Sequence, residues 1–308
     1  MGKKVLVLMG GDSSESAISI ATGKTCAKAL QELGYNVTSL DITNAGDSLV
    51  SLIQNSNTDV VFNALHGPFG EDGKIQAILE YLKIPYTHSG VLASALAMDK
   101  DKAKIIASCE GVNVANSIVM NRYDIGNKHP MAVPYVIKPL IEGSSVGVII
   151  IKKEEDAIPS VLSSKEWRFG DRVLVESYVA GREFACGVMG SKALDVCEIF
   201  ISEQYDFYDI GAKYNPGGSK HICPANILPN IYKDVQIMAL KAHQAMGCSG
   251  VSRSDFRYNE KTSELVWLEI NTQPGMTPTS LLPEIAEVSG ISFNELVRWI
   301  VEDASCKG

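Results

Sequence analysis

The chain has 308 residues, 45% of them hydrophobic and 21% charged, enough to bury cores in two or three domains. Its net charge of -8, with no basic cluster, excludes nucleic acid and anionic membrane as partners. Seven cysteines without metal-type spacing read as reduced thiols of a cytoplasmic protein, and no stretch approaches the roughly 20 apolar residues of a membrane span.

The apolar run Lys4 to Met9 is a buried-type strand and not a signal peptide, because it is short and ends at Gly10 and Gly11. A helix from Ser13 to Leu33 closes at Gly34, and strands follow at Asn36 to Asp41 and Asp59 to Ala64. After HGPFGEDG comes a helix over Lys74 to Lys83, so the region up to Ala97 reads as a small α/β domain with a parallel sheet. The glycine pair invites a dinucleotide reading with Asp41 on a ribose. GGDSSES, however, lacks the third glycine and sets Glu15 where a phosphate must approach. A carboxylate near a helix N-terminus is favoured by the helix dipole alone. The second acidic loop, Glu71 and Asp72 after His66, also follows a strand, and two such loops suggest a site for a cationic group.

From Met98 a charged amphipathic helix leads to strands at Asn116 to Met120 and Tyr135 to Ile137. In VIKPLIEGSSVGVIII, Lys138 ends a strand and the loop Glu142 to Gly147 runs into another, with no Walker lysine and no helix after it. Such a turn either covers phosphates with backbone N–H groups or is an ordinary glycine hairpin. The strand Arg172 to Val179 precedes Gly181 and Glu183. Strands at Phe184 to Val188 and Ala193 to Ile201 follow. Tyr205 to His221 is polar, aromatic and glycine-rich, either a cover for reacting phosphate or a surface loop. A helix spans Leu228 to Gly247.

Val251 to Tyr258 and Leu265 to Asn271 alternate as strands around a polar turn, which predicts an antiparallel hairpin. Period-two spacing puts Arg253 with Asp255, and Leu265 and Trp267 with Glu269 and Asn271. A turn symmetric about Thr262 sets Asp255 opposite Glu269 and Arg253 opposite Asn271. Directly opposed carboxylates repel, so a positive group must lie between them, and Mg²⁺ with phosphate oxygens suits that pair. Ser280, ahead of LLPEIAEV, is a natural N-cap at a helix end that can receive a carboxylate. A helix over Phe293 to Asp303 closes the chain.

Seven strings in one order, HGPFGEDG, MDK, VIKPLIEGSSVG, GREF, FYDIGAKY, SRSDF and LEINTQPGMTPTSLLP, resemble the ATP-grasp ligases and, within them, the D-alanine–D-alanine ligase family, over almost the whole chain. The resemblance implies an α/β and α+β architecture: an ATP-grasp fold with an N-terminal Rossmann-like (pre-ATP-grasp) domain. The expected division is 1–97 for the first D-alanine, 98–180 for the glycine-rich loop, and 181–308 for metal and second substrate. It implies ATP-dependent joining of two D-alanine molecules through an acylphosphate, for peptidoglycan precursors, by a cytoplasmic bacterial homodimer.

Carried over by residue, the resemblance gives Asp255, Glu269 and Asn271 to two Mg²⁺ (or Mn²⁺) ions, and Lys100, Lys138 and Lys213 to phosphate oxygens. Glu176, Ser177, Tyr178 and Val179 would line the adenine pocket and Glu183 would hold the ribose. Glu15 would take the ammonium of the first D-alanine, linked to Ser144 and Tyr214, with His66 in the same substrate site. Arg253 and the backbone of Gly275 would face the oxyanion, and Ser280 and Leu281 the second carboxylate. Four positions depart from or discriminate within the family: Ser16 and Ala17 replace the usual basic or polar residue and Glu, Ser177 stands where relatives often have Lys, and Tyr214 favours the dipeptide over the D-lactate product.

Overall fold

The computed structural model describes residues 2–126, 128–202, 204, 211 and 217–307. Among these, three sheets account for the strands. The first is parallel, order β2-β1-β3, from β1 (Lys4–Met9), β2 (Asn36–Asp41) and β3 (Val60–Asn63). Every residue of β3 and all of β1 but Lys4 are buried, which is why these strands read as continuous apolar runs. Around this sheet lie α1 (Ser16–Glu32), α2 (Leu49–Asn55) and α3 (Lys74–Leu82).

Two helices follow almost without a break, α4 (Val91–Met98) and α5 (Lys100–Cys109). The sequence VLASALAM has no polar face, so periodicity did not reveal α4 as an element of its own. Asp99 separates the two and caps α5, accepting the Lys102 N–H at 3.1 Å. The second sheet is antiparallel, order β4-β7-β5-β6, from β4 (Ser117–Asn121), β5 (Tyr135–Pro139), β6 (Ile149–Ile151) and β7 (Arg172–Ser177).

The third sheet, order β10-β9-β8-β11-β12, is antiparallel throughout: β8 (Arg182–Met189), β9 (Lys192–Ile201), β10 (Ser219–Ile222), β11 (Val251–Asn259) and β12 (Glu264–Asn271). One face packs Phe184, Val196, Phe256 and Trp267 under α4, α5 and α6 (Pro229–Ala245). The opposite face is apolar at one end, where Ala185, Cys197 and Val251 meet α7 (Leu281–Val288) and α8 (Phe293–Glu302). That same core takes in Leu30 of α1 and Phe62 of β3, so it joins the parallel sheet to the five-stranded one. At its other end this face carries charge, and there the four-stranded sheet closes over it.

The hairpin register is Arg253 opposite Asn271 and Asp255 opposite Glu269, as the turn symmetry predicts. Nearer the turn the pairing shifts by one, Phe256 opposite Trp267, so Leu268 is an extra residue in a β-bulge. A bulge reverses the alternation. Leu265 and Trp267 therefore lie in the core and not beside Glu269 and Asn271, which corrects the strict period-two grouping. Ser280 also departs from expectation. It occupies the N-cap position of α7 but makes no side-chain cap bond; its hydroxyl accepts the Thr277 N–H at 3.0 Å and pairs with Thr277 Oγ1 at 2.7 Å.

Candidate active site

Two pockets meet at the charged end of the five-stranded sheet. The first is bordered by the start of α1, the β3–α3 loop and the turn before α7, with Glu15, His66, Ser144, Gly275, Ser280 and Leu281 among its walls. Glu15 sits at the N-cap position of α1, and the Ser144 hydroxyl donates to its Oε1 across two units of the fold. Ser144 and Ser145 both have left-handed backbone, φ 50° and 58°, an uncommon pair for non-glycine residues that turns the loop tip toward Glu15.

His66 is buried with both ring nitrogens engaged: Nδ1 with Glu71 Oε1 at 3.0 Å and Nε2 with Thr22 Oγ1 at 3.1 Å. Burial pushes the Glu71 carboxyl above its ordinary value, the Glu15 charge adds to this, and His66 opposes it. Of the two acidic residues read from this loop, only Glu71 lines the pocket. Asp72 is instead tied to Lys74 at 2.6 Å.

The glycine pair has a local explanation. The Gly10 N–H goes to Ser19 Oγ at 2.8 Å and the Gly11 N–H to Thr43 Oγ1 at 2.9 Å, so the donors that a pyrophosphate would need are already used. A Cβ on Gly10 would stand 2.1 Å from Asp41 Oδ1, and only glycine admits that approach. The dinucleotide alternative falls with these contacts.

The second pocket is the cleft between the antiparallel sheets. Lys138, Ile150 and Glu176 face it from one sheet, and Glu183, Asp255 and Glu269 from the other. Ser177, Tyr178 and Val179 complete it where the chain crosses between sheets, and Lys100 from the start of α5. Glu183 is paired with Arg257 at 3.0 Å, and Arg257 Nη1 donates to the Gly181 carbonyl at 3.0 Å. Glu176 lies between Lys138 and Lys104, each 2.5 Å from one of its oxygens. Burial lowers the Lys100 ammonium and Lys138 adds to that, against Glu269, Glu176 and Glu142.

The wall between the pockets carries the hairpin residues. Arg253 and Asn271 line the first pocket, Asp255 and Glu269 the second. Arg253 grips Asp255 with two bonds, Nε to Oδ1 at 2.7 Å and Nη2 to Oδ2 at 2.8 Å, and Asn271 Nδ2 adds a third at 3.2 Å. Lys100 lies 3.8 Å from Glu269 and also donates to the Glu142 carbonyl. The positive groups demanded by the opposed carboxylates are thus supplied in part by Arg253 and Lys100.

Lys213 and Tyr214 lie outside the described residues. Arg257, Lys104 and Gln273 were not read from the sequence. Arg257 could have been, since it continues the period-two face of Arg253 and Asp255. Lys104 gave no signal, being one of several lysines on a charged helix.

A cleft between two antiparallel sheets, lined by lysines and carboxylates and joined to an α/β unit, defines an ATP-grasp fold. Family models described as D-ala D-ala ligase N-terminus and D-ala D-ala ligase C-terminus match residues 46–89 and 109–302. D-alanine--D-alanine ligase B of Brucella melitensis biotype 1 is 60% identical over 308 residues, 99% of this chain and 96% of that one. The crystal structure of D-alanine--D-alanine ligase from Bacillus anthracis complexed with ATP superposes with a TM-score of 0.81 at 27% identity, over 98% of this chain and 97% of that one. That of VanG D-Ala:D-Ser ligase from Enterococcus faecalis gives 0.79 at 28%, over 98% and 99%. This chain belongs to the D-alanine–D-alanine ligase family.

Proposed function

We propose that the chain joins two D-alanine molecules to D-alanyl-D-alanine at the expense of ATP, for peptidoglycan precursor synthesis. The observation that carries this is the shared wall: one hairpin presents Arg253 and Asn271 to a pocket holding Glu15, and Asp255 and Glu269 to the cleft holding Lys100 and Lys138. An amino acid bound on one side meets a nucleotide bound on the other.

A carboxylate is a poor acyl donor at neutral pH, so the carboxylate of the first D-alanine attacks the γ-phosphorus, the bond from that phosphorus to the β–γ bridging oxygen breaks, and ADP leaves an acylphosphate behind. Glu15, at the N-cap position of α1, receives its ammonium, and Ser144 steadies Glu15. Lys100 and Lys138 offset phosphate charge. The amine of the second D-alanine then attacks the acyl carbon, and phosphate leaves from the tetrahedral oxyanion. Asp255 fixes the plane of the Arg253 guanidinium, which faces that oxyanion with the Gly275 N–H. The start of α7, with Ser280 and Leu281, takes the second carboxylate. Because the Ser280 hydroxyl caps nothing in α7, the helix end is left to an anion.

Asp255, Glu269 and Asn271 fit divalent ions, Mg²⁺ or Mn²⁺: two carboxylates and an amide oxygen are hard donors, and Asp255 Oδ1, which accepts one bond from Arg253, keeps a lone pair, while Oδ2 already accepts from both Arg253 and Asn271. Bound there, the ions would neutralise phosphate charge. Among the described residues no three His, Cys, Asp or Glu side chains gather as a metal site, which suits ions held jointly with phosphate. The same reading takes Lys213 as a phosphate contact and Tyr214 as a partner of Glu15, Glu176 to Val179 with Glu183 as the adenine and ribose contacts, and His66 as a residue of the first substrate site. The division into 1–97, 98–180 and 181–308 goes with it, as does cytoplasmic action. A homodimer is checked by light scattering, as a mass of twice 33.3 kDa.

The test is phosphate release from ATP with D-alanine, L-alanine, D-serine and D-lactate side by side. Turnover dependent on D-alanine and a divalent ion, with D-alanyl-D-alanine as product, is expected. Absence of D-alanine-dependent turnover sinks the reading.

A further inference from the structure

Lys104 has no part in the reading above, yet it is one of the most buried charges in the chain. It sits on α5, whose Ala103 and Ala107 pack behind the five-stranded sheet. Its ammonium crosses to the other sheet, where Nζ lies 2.5 Å from Glu176 Oε2 on β7, with the two side chains only 4% and 5% exposed. Lys138 on β5 holds the second oxygen, Nζ to Oε1, also at 2.5 Å. One carboxylate therefore serves two ammonium groups.

The two lysines are not equivalent. Lys138 and Glu176 line the nucleotide cleft, whereas Lys104 reaches Glu176 from behind, out of α5. A triphosphate carries more negative charge than one carboxylate, so a nucleotide bound in this cleft would draw Lys138 off Glu176. A buried carboxylate stripped of its cation costs several kcal/mol or takes up a proton. Burial by itself raises the Glu176 carboxyl, and the two lysines outweigh it and hold it below the usual range. Once Lys138 has turned away, Lys104 is the remaining one of the pair.

We propose that Lys104 is a positioning residue of the nucleotide site: it anchors Glu176 through Oε2 and keeps it ionised when Lys138 turns to the phosphates, leaving Oε1 as the acceptor for an N–H of the base. This rests on the ligase reading, which puts ATP in the cleft. Its chemical consequence is base selectivity. A 6-aminopurine offers a donor to that oxygen, and a 6-oxopurine sets a carbonyl against it.

The experiment compares wild type, Lys104→Met and Lys104→Arg for ATP and ITP, by calorimetric binding without D-alanine and by steady-state kinetics. Lys104→Met is expected to weaken ATP by about ten- to a hundredfold, the scale of one charged hydrogen bond, with kcat changed by less than about threefold. KM for D-alanine stays as in wild type, the preference for ATP over ITP collapses, and Lys104→Arg restores part of both. A folded Lys104→Met that keeps its ATP affinity and its preference overturns the proposal. Should that variant fail to fold, Glu176→Gln supplies the second arm: adding Lys104→Met to it must cost no further nucleotide affinity, and a further loss overturns the proposal equally. The binding arm does not involve D-alanine, so failure of ligation in wild type counts against the function and leaves this test standing.

Discussion

At Glu269 two demands coincide. It stands opposite Asp255 in the ladder and 3.8 Å from Lys100, with its side chain 29% exposed. That contact is long and Glu269 itself is part-exposed, so its charge matters for what it can hold more than for folding. Glu269→Gln keeps the shape and removes the charge. Turnover is expected to fall by about a hundredfold or more, as when one electrostatic stabiliser is removed. The thermal midpoint should move by no more than about 2–4 °C. Near-normal turnover in a folded variant removes the metal assignment. Buried Glu176 answers differently, because deleting it leaves the ammonium groups of Lys104 and Lys138 facing each other in the interior.

The crossing between β7 and β8 joins the sheets that form the nucleotide cleft, and Gly181 is its tight point. Its φ is 118°, and a Cβ would lie 2.1 Å from the Tyr258 carbonyl oxygen, a backbone atom that cannot yield. Its own carbonyl accepts from Arg257, which in turn holds Glu183. Gly181→Ala is therefore expected to cost about 2–4 kcal/mol in urea unfolding, from strain and overpacking together. Because the displaced segment carries Glu183, KM for ATP should rise more than kcat falls. An unchanged unfolding midpoint is the contrary result. This same element shows what a sequence discloses. The strands, their alternation and the Asp255–Glu269 register were legible, since apolar period and turn position set them. The Leu268 bulge was not, because an inserted residue leaves the local pattern intact and changes only which face the later residues take. Trp267 was misassigned for that reason, and α4 went unseen because both its faces are apolar. The pocket lining was legible where a charged residue sits in the motif itself, as Glu15 and Arg253 do. It was opaque where a partner arrives from elsewhere in the fold, as Lys104 and Arg257 do.

Across the molecule, two buried histidines brace the strand that carries Arg253 and Asp255. His88 stacks edge-on against Phe62 with centroids 5.7 Å apart, and its carbonyl accepts from Ser249 just before β11. His243 on α6 pairs through Nδ1 with Ser252 of β11 at 2.7 Å. Burial pushes His88 down to about 3, with the charges of His66 and Lys307 adding to it, and burial pushes His243 down to about 4. Both stay neutral in the folded chain and take up a proton on unfolding once the pH is below about 6.5, their ordinary value. A depressed pKa gives stability that is fully present above that value and is lost as pH falls toward the folded one. At pH 5 each histidine should have forfeited about 2 kcal/mol, or about 4 kcal/mol together, a large share of a typical stability of about 5–15 kcal/mol. The raised carboxyl of Glu71 acts in the opposite sense, since acid removes the cost of ionising it. Urea unfolding between pH 7 and 5 separates these contributions. Stability should fall with acid in wild type, and His88→Asn should lower the slope by about one proton. A curve that is flat or rises toward pH 5 would show that the histidines do not govern the acid limb.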